Sequence, residues 1–190
     1  MTTAPSGRLA SVNLLAAEER SQLDRIGNRA ATADVPASIP ALFAAQVDRT
    51  PDAVALTGPD GALTYRDLDA AANRLAHRLI DAGAGPGQTV ALLFPRSIDA
   101  VVAILAVLKT GAAYLPIDPA LPAERLAFLI SDALPSVAVT TAELAGRLGA
   151  FDGPVVIGSA GENGSATRLP DPDADSIAYL IYTSGTTGVP

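Results

Sequence analysis

Residues 89–117 read TVALLFPRSIDAVVAILAVLKTGAAYLPI, and the fold class follows from this one stretch. Thr89 to Phe94 is an apolar run of strand length, the pattern of a parallel strand covered on both faces. Ile98 to Lys109 repeats its apolar residues at helical spacing, and Gly111 supplies the stop. Ala113 to Ile117 returns to strand. Strand, helix and strand in this order make a crossover unit, which joins two parallel neighbours of one sheet.

The same alternation extends in both directions. Downstream, Pro122–Ser131 predicts a helix with proline in its first turn, where the missing N–H costs nothing. Val137–Thr140 predicts a strand, Glu143–Leu148 a helix, and Val155–Gly158 a strand. Gly161–Asp175 is polar and reads as an exposed loop, and Ile177–Tyr182 as a last strand. Upstream, Thr64 is an N-cap with Asp67 three residues on. The helix behind it carries Leu68, Ala71, Ala72, Leu75, Ala76, Leu79 and Ile80 on one stripe and stops at Gly83. Ala53–Leu56 and Ala62–Tyr65 are short strands around a turn at Gly58–Gly61. Ile39–Arg49 is a helix with Leu42, Phe43, Gln46 and Val47 along one side. Residues 1–38 have the composition of a linker, with a helix-prone stretch from Ala16 to Ile26. The expectation is an α/β unit over 39–190, a mostly parallel sheet flanked by helices.

Composition removes several function classes. A formal net charge of −7 over 190 residues argues against a nucleic-acid partner, which needs a basic face. There is no cysteine, so disulfides and thiolate metal sites are excluded, and His77 is the only histidine, which excludes a histidine triad or a multi-histidine centre within the chain. Met1 to Ser11 lacks the apolar core of a secretory signal. The longest apolar run, Ile98–Leu108, is broken by Asp99 and too short to span a bilayer. No membrane partner and a cytoplasmic location are expected.

The last strand runs into Thr183-Ser184-Gly185-Thr186-Thr187-Gly188-Val189-Pro190. Gly185 and Gly188 let the main chain approach a phosphate, while Thr183, Ser184, Thr186 and Thr187 supply hydroxyl donors. Successive N–H groups in such a loop form an anion-binding concavity. The spacing is neither the Walker pattern nor the dinucleotide fingerprint. On these residues alone an ordinary turn and a phosphate loop both stand.

Three blocks in register carry a resemblance. Ile177–Pro190 resembles the signature phosphate loop of the adenylate-forming, AMP-binding synthetases. Leu63-Thr64-Tyr65-Arg66-Asp67-Leu68 resembles their first core motif, and Leu108–Pro119 their second. The second block with Pro122-Ala123-Glu124-Arg125-Leu126, together with Thr50–Ala55, looks like the adenylation domains of nonribosomal peptide synthetases. Leu14–Arg20 resembles the linker that follows a condensation domain.

That resemblance implies the N-terminal portion of the large lobe of an adenylate-forming enzyme, with the match ending at the phosphate loop. It implies ATP and Mg²⁺ as cofactors. An amino acid would be the substrate, with a condensation domain and a peptidyl carrier domain bearing phosphopantetheine as partners in cis or trans. Cofactor binding falls to Thr183, Ser184, Gly185, Thr186, Thr187 and Gly188, with no catalytic residue and no metal ligand within the chain, so the 190 residues alone are expected to be inactive. An acyl- or aryl-CoA ligase of the same superfamily, or a non-catalytic remnant, are the alternative readings. His77 reads as part of a solvated face and Lys109 as compensation of a helix dipole. Tyr114, Pro116 and Asp118 read as structural, and Asp171–Asp175 as a solvated loop.

Overall fold

The computed structural model describes residues 16–27, 37–59, 61–149, 151–158 and 164–183. The chain divides into two units, Met1–Pro36 and Ala37–Pro190. In the first, α1 (Ala17–Gly27) carries Glu18 and Glu19 in its first turn, where carboxylates favour the helix N-terminus.

The second unit opens with α2 (Ile39–Arg49), capped by Ser38, whose hydroxyl accepts from the Ala41 N–H. The hairpin β1 (Val54–Gly58) and β2 (Gly61–Thr64) pairs antiparallel. Thr64 caps α3 (Tyr65–Asp81) by accepting from the Asp67 N–H, as its sequence position predicts. Then follow β3 (Thr89–Leu93), α4 (Ile98–Lys109), β4 (Ala113–Ile117), α5 (Ala123–Ala133), β5 (Val137–Thr140) and β6 (Val155–Ile157). The four strands form one parallel sheet in the order β4-β3-β5-β6.

Period-two alternation divides the core between the two faces of this sheet. Val90, Leu92, Val137, Val139 and Val156 face α3 and α4. Ala91, Leu93, Leu115, Ile117 and Ala138 face α5. The chain leaves β3 toward β4 and returns across it to β5, so the direction of winding reverses beside β3. In open α/β sheets ligands bind outside the carboxyl ends of the strands at such a reversal.

Three expectations are corrected. In α2 the buried stripe runs through Pro40, Ala44 and Val47 with Phe43 packed beside it, which is the i, i+3, i+4, i+7 set; Leu42 falls off it and is 62% exposed. The segment before β6 is a single 3₁₀ turn, Ala145–Leu148, because Gly146 and Gly149 weaken a helix too short to propagate. Ile177–Tyr182 is not a full strand. Its main chain meets β4 at one parallel bridge, where the Tyr114 N–H donates to Ala178 O at 3.0 Å and the Leu180 N–H donates to Tyr114 O at 3.0 Å. The next donor in that ladder would be residue 116, which is proline and has no N–H, so pairing ends at Leu180.

Gly111 closes α4 at φ +79°, and a Cβ there would stand 3.1 Å from Cγ of Pro86. Gly111→Ala therefore costs about 1–2 kcal/mol for the left-handed backbone, before any displacement of Pro86. A urea midpoint that does not move would show that this turn relaxes freely.

Candidate functional site

The carboxyl edge of the sheet is built from the ends of β3, β4 and β5. Leu93 is level with Ile117 on one side and Thr140 on the other. The buried Thr140 hydroxyl donates to Leu93 O at 2.8 Å, which satisfies that carbonyl and fixes the strand ends. Beyond them Phe94, Arg96, Ile104, Pro116 and Asp118 line a cleft of about 370 Å³. Asp118 Oδ1 accepts from the Ala120 N–H at 2.8 Å and shapes the exit of β4. The structural reading of Asp118 therefore fits what the residue does, as does that of Pro116, which ends the ladder.

Parallel pairing of Tyr114 with Tyr179 carries the chain to this same edge. The rings of these two tyrosines lie 5.7 Å apart, and burial, then the neighbouring Tyr179, pushes the Tyr114 phenol up. Tyr182 is half-buried against the α5 cluster. Its ring meets Phe128 edge-on at 6.4 Å, and its O–H donates to Asp132 Oδ2. The bond to Asp132, then burial, pushes the Tyr182 phenol up to about 12. Thr183, the first of the candidate phosphate ligands, follows it and is exposed. Ser184, Gly185, Thr186, Thr187 and Gly188 lie outside the described residues.

Lys109 has a different place from the one its position suggests. Although in the last turn of α4, it is buried, and its Nζ donates to Asp69 Oδ1 at 2.8 Å. Asn73 donates to the other Asp69 oxygen at 3.1 Å and to Ala166 O at 3.1 Å. Sequence reasoning passed over Asp69 and Asn73, yet there was a signal: both interrupt the buried stripe of α3 between Leu68 and Ala76.

Polar contacts also pin the loop after β6. Arg168 donates to both carboxylate oxygens of Asp48, at 3.2 and 2.9 Å. His77 is half-buried and sits 3.0 Å from Thr167 O, a contact with this loop where a solvated face was expected. Arg168 holds the Asp48 carboxyl below the usual carboxylate range. This contact therefore stabilises above the ordinary carboxylate pKa and fades as pH falls through the lowered value. Exposure keeps it small. Asp171 and Asp173–Asp175 are exposed, and among the described residues no group of three His, Asp or Glu side chains could hold a metal. No helix of the described residues is long and apolar enough to cross a membrane.

Comparison with known proteins agrees with this architecture. The model of the AMP-binding enzyme family matches residues 43–190. Isonitrile lipopeptide synthase of Mycobacterium tuberculosis is 53% identical across 100% of this chain, which spans 8% of that protein. The dimodular nonribosomal peptide synthase of Bacillus subtilis is 37% identical across 100% of the chain, which again spans 8% of it. Among solved structures, the nonribosomal peptide synthetase FmoA3 in its AMPPNP-bound form superposes with a TM-score of 0.76 at 32% identity, covering 89% of this chain and 18% of that one. Its form bound to alpha-methyl-L-serine-AMP gives a TM-score of 0.76 at 30% identity, covering 90% and 20%. The chain belongs to the AMP-binding enzyme family and forms the N-terminal part of an adenylation domain of the nonribosomal peptide synthetase type.

Proposed function

We propose that this segment supplies the triphosphate-gripping part of an amino-acid-activating site. The observation that carries the reading is the parallel bridge at Tyr114, which runs the chain along β4 to the carboxyl edge of the sheet, the side on which open α/β sheets bind ligands, and leaves Thr183 exposed there. Thr183, Ser184, Thr186 and Thr187 offer hydroxyl donors to the β- and γ-phosphates, and Gly185 and Gly188 allow close approach of main-chain N–H groups. The reaction is attack of an amino-acid carboxylate oxygen on the α-phosphorus of ATP. A new O–P bond forms, the bond to the bridging oxygen breaks, and pyrophosphate leaves. The aminoacyl group then passes to the thiol of a phosphopantetheine on a carrier domain, releasing AMP.

An anion attacking a polyanion needs its charge neutralised and its line of approach held. Mg²⁺ enters with ATP as part of the substrate complex, since it binds through substrate phosphates with few protein carboxylates. The loop's contribution is to fix the two outer phosphates so that the α-phosphorus faces the carboxylate. That support comes from family membership and from FmoA3, whose solved forms hold AMPPNP and alpha-methyl-L-serine-AMP. A soluble cytoplasmic setting fits such chemistry, with condensation and carrier domains as the partners.

Amino-acid-dependent ATP–pyrophosphate exchange by the intact synthetase tests the assignment. Thr186→Ala lowers kcat/KM for ATP by about tenfold or more, the equivalent of one hydrogen bond to a charged group. The isolated 190 residues give no exchange. Unchanged kinetics in the variant would remove Thr186 from the site.

A further inference from the structure

We propose that Tyr182, held by Asp132 and Phe128 on α5, is a positioning residue that sets where the phosphate loop leaves the sheet and so tunes affinity for ATP. The inference rests on the reading of residues 183–188 as the triphosphate loop.

Main-chain pairing to β4 ends at Leu180, because Pro116 cannot donate the next bond. Residues 181–183 make no main-chain hydrogen bond to the rest of the described chain. What fixes their course is therefore a side chain. Ile181 is 59% exposed and Thr183 is exposed, whereas Tyr182 turns inward onto the α5 cluster. Its O–H donates to the exposed Asp132 carboxylate in a charge-assisted hydrogen bond that water partly screens. Its ring edge rests on Phe128 at an interplanar angle of 79°, and Phe128 is itself covered by the Arg125 guanidinium at 5.0 Å.

The anchor is tied to the core through the buried face of α5, while Phe128 and Asp132 themselves are exposed. Leu126, Leu129 and Ile130 are buried in the core on the same helix that presents Phe128 and Asp132. One residue beyond this clamp stands Thr183, the first loop hydroxyl, so a shift of Tyr182 moves that donor directly. A displacement of about 1 Å in a site that works by positioning can cost on the order of a hundredfold in rate.

The test uses the intact synthetase and measures KM for ATP and for the amino acid separately, with melting temperature recorded for each variant. Tyr182→Phe keeps the ring and removes the O–H; it raises KM for ATP about fivefold and leaves that for the amino acid within about twofold. Asp132→Asn keeps an acceptor without the charge and gives a smaller rise. The double variant is no worse than Tyr182→Phe, because both remove one bond. An unchanged KM for ATP in Tyr182→Phe overturns the proposal. So does a parallel rise in both KM values with a lowered melting temperature, which marks a merely structural tyrosine. Thr183→Ala and Thr186→Ala are the references. If Thr183→Ala and Thr186→Ala both leave kcat/KM for ATP untouched, the phosphate-loop reading fails and this inference with it. If either loop variant lowers kcat/KM for ATP while Tyr182→Phe leaves KM for ATP unchanged, the clamp alone fails.

Discussion

Replacing Lys109 by methionine lowers the unfolding free energy of the intact adenylation domain by about 3–5 kcal/mol. The ammonium keeps only 4% of its side-chain surface and Asp69 12%, at a separation of 2.8 Å. Removing the cation leaves a carboxylate that has already lost its water, with Asn73 as its remaining close donor. Arg168 stands 4.0 Å from the second carboxylate oxygen and is 40% exposed, so it compensates part of the charge and draws the loss toward the lower end. Lys109 also lies 5.8 Å from the Phe43 ring centre, which ties α4 to α2 as well as to α3. Removing both charges, as Lys109→Met with Asp69→Leu, restores most of the stability, since paired deletion leaves no orphan charge. Urea unfolding of the domain decides it. A loss under 1 kcal/mol for Lys109→Met would show that Arg168 alone suffices for Asp69.

The contrast between this pair and the crossover unit shows what a linear reading reaches. β4, α4 and β5 lie where hydrophobic periodicity places them, and β3 is one residue shorter, because burial on both faces demands unbroken apolar runs. The Thr64 cap and the Gly111 stop are local chemistry and equally legible. Lys109 and Asp69 are 40 residues apart, and a last-turn lysine looks the same in sequence whether it points to water or to a buried acid. Tyr182 and Asp132 are 50 apart and meet because the segment beside β4 packs on the cluster that β4 shares with α5. Pro116 is the instructive miss. It stands in plain view inside a strand, and its missing N–H already states that the flanking segment cannot pair fully. The candidate loop was legible for the opposite reason: its glycines and hydroxyls are contiguous, so no tertiary knowledge is needed to see them.

Both faces of the sheet bury leucines, but only one of them supports the candidate site. Leu79→Ala and Leu126→Ala each remove a side chain that is 0% and 1% exposed, and each costs about 2–5 kcal/mol through lost transfer energy and the cavity left behind. Leu79 lies in the cluster shared by α3 and α4, on the side away from Tyr182. Leu126 lies in the α5 cluster, against which Leu180 and Tyr182 pack. A cavity beneath α5 loosens the support of Phe128 and Asp132, whereas one beneath α3 does not reach them. With both variants measured well below their melting temperatures, Leu126→Ala raises KM for ATP several-fold and Leu79→Ala leaves it unchanged, although the two lose similar stability. Equal effects of the two on KM would mean that the loop senses global stability alone. A rise confined to Leu126→Ala separates packing that merely holds the fold from packing that aims the phosphate donors.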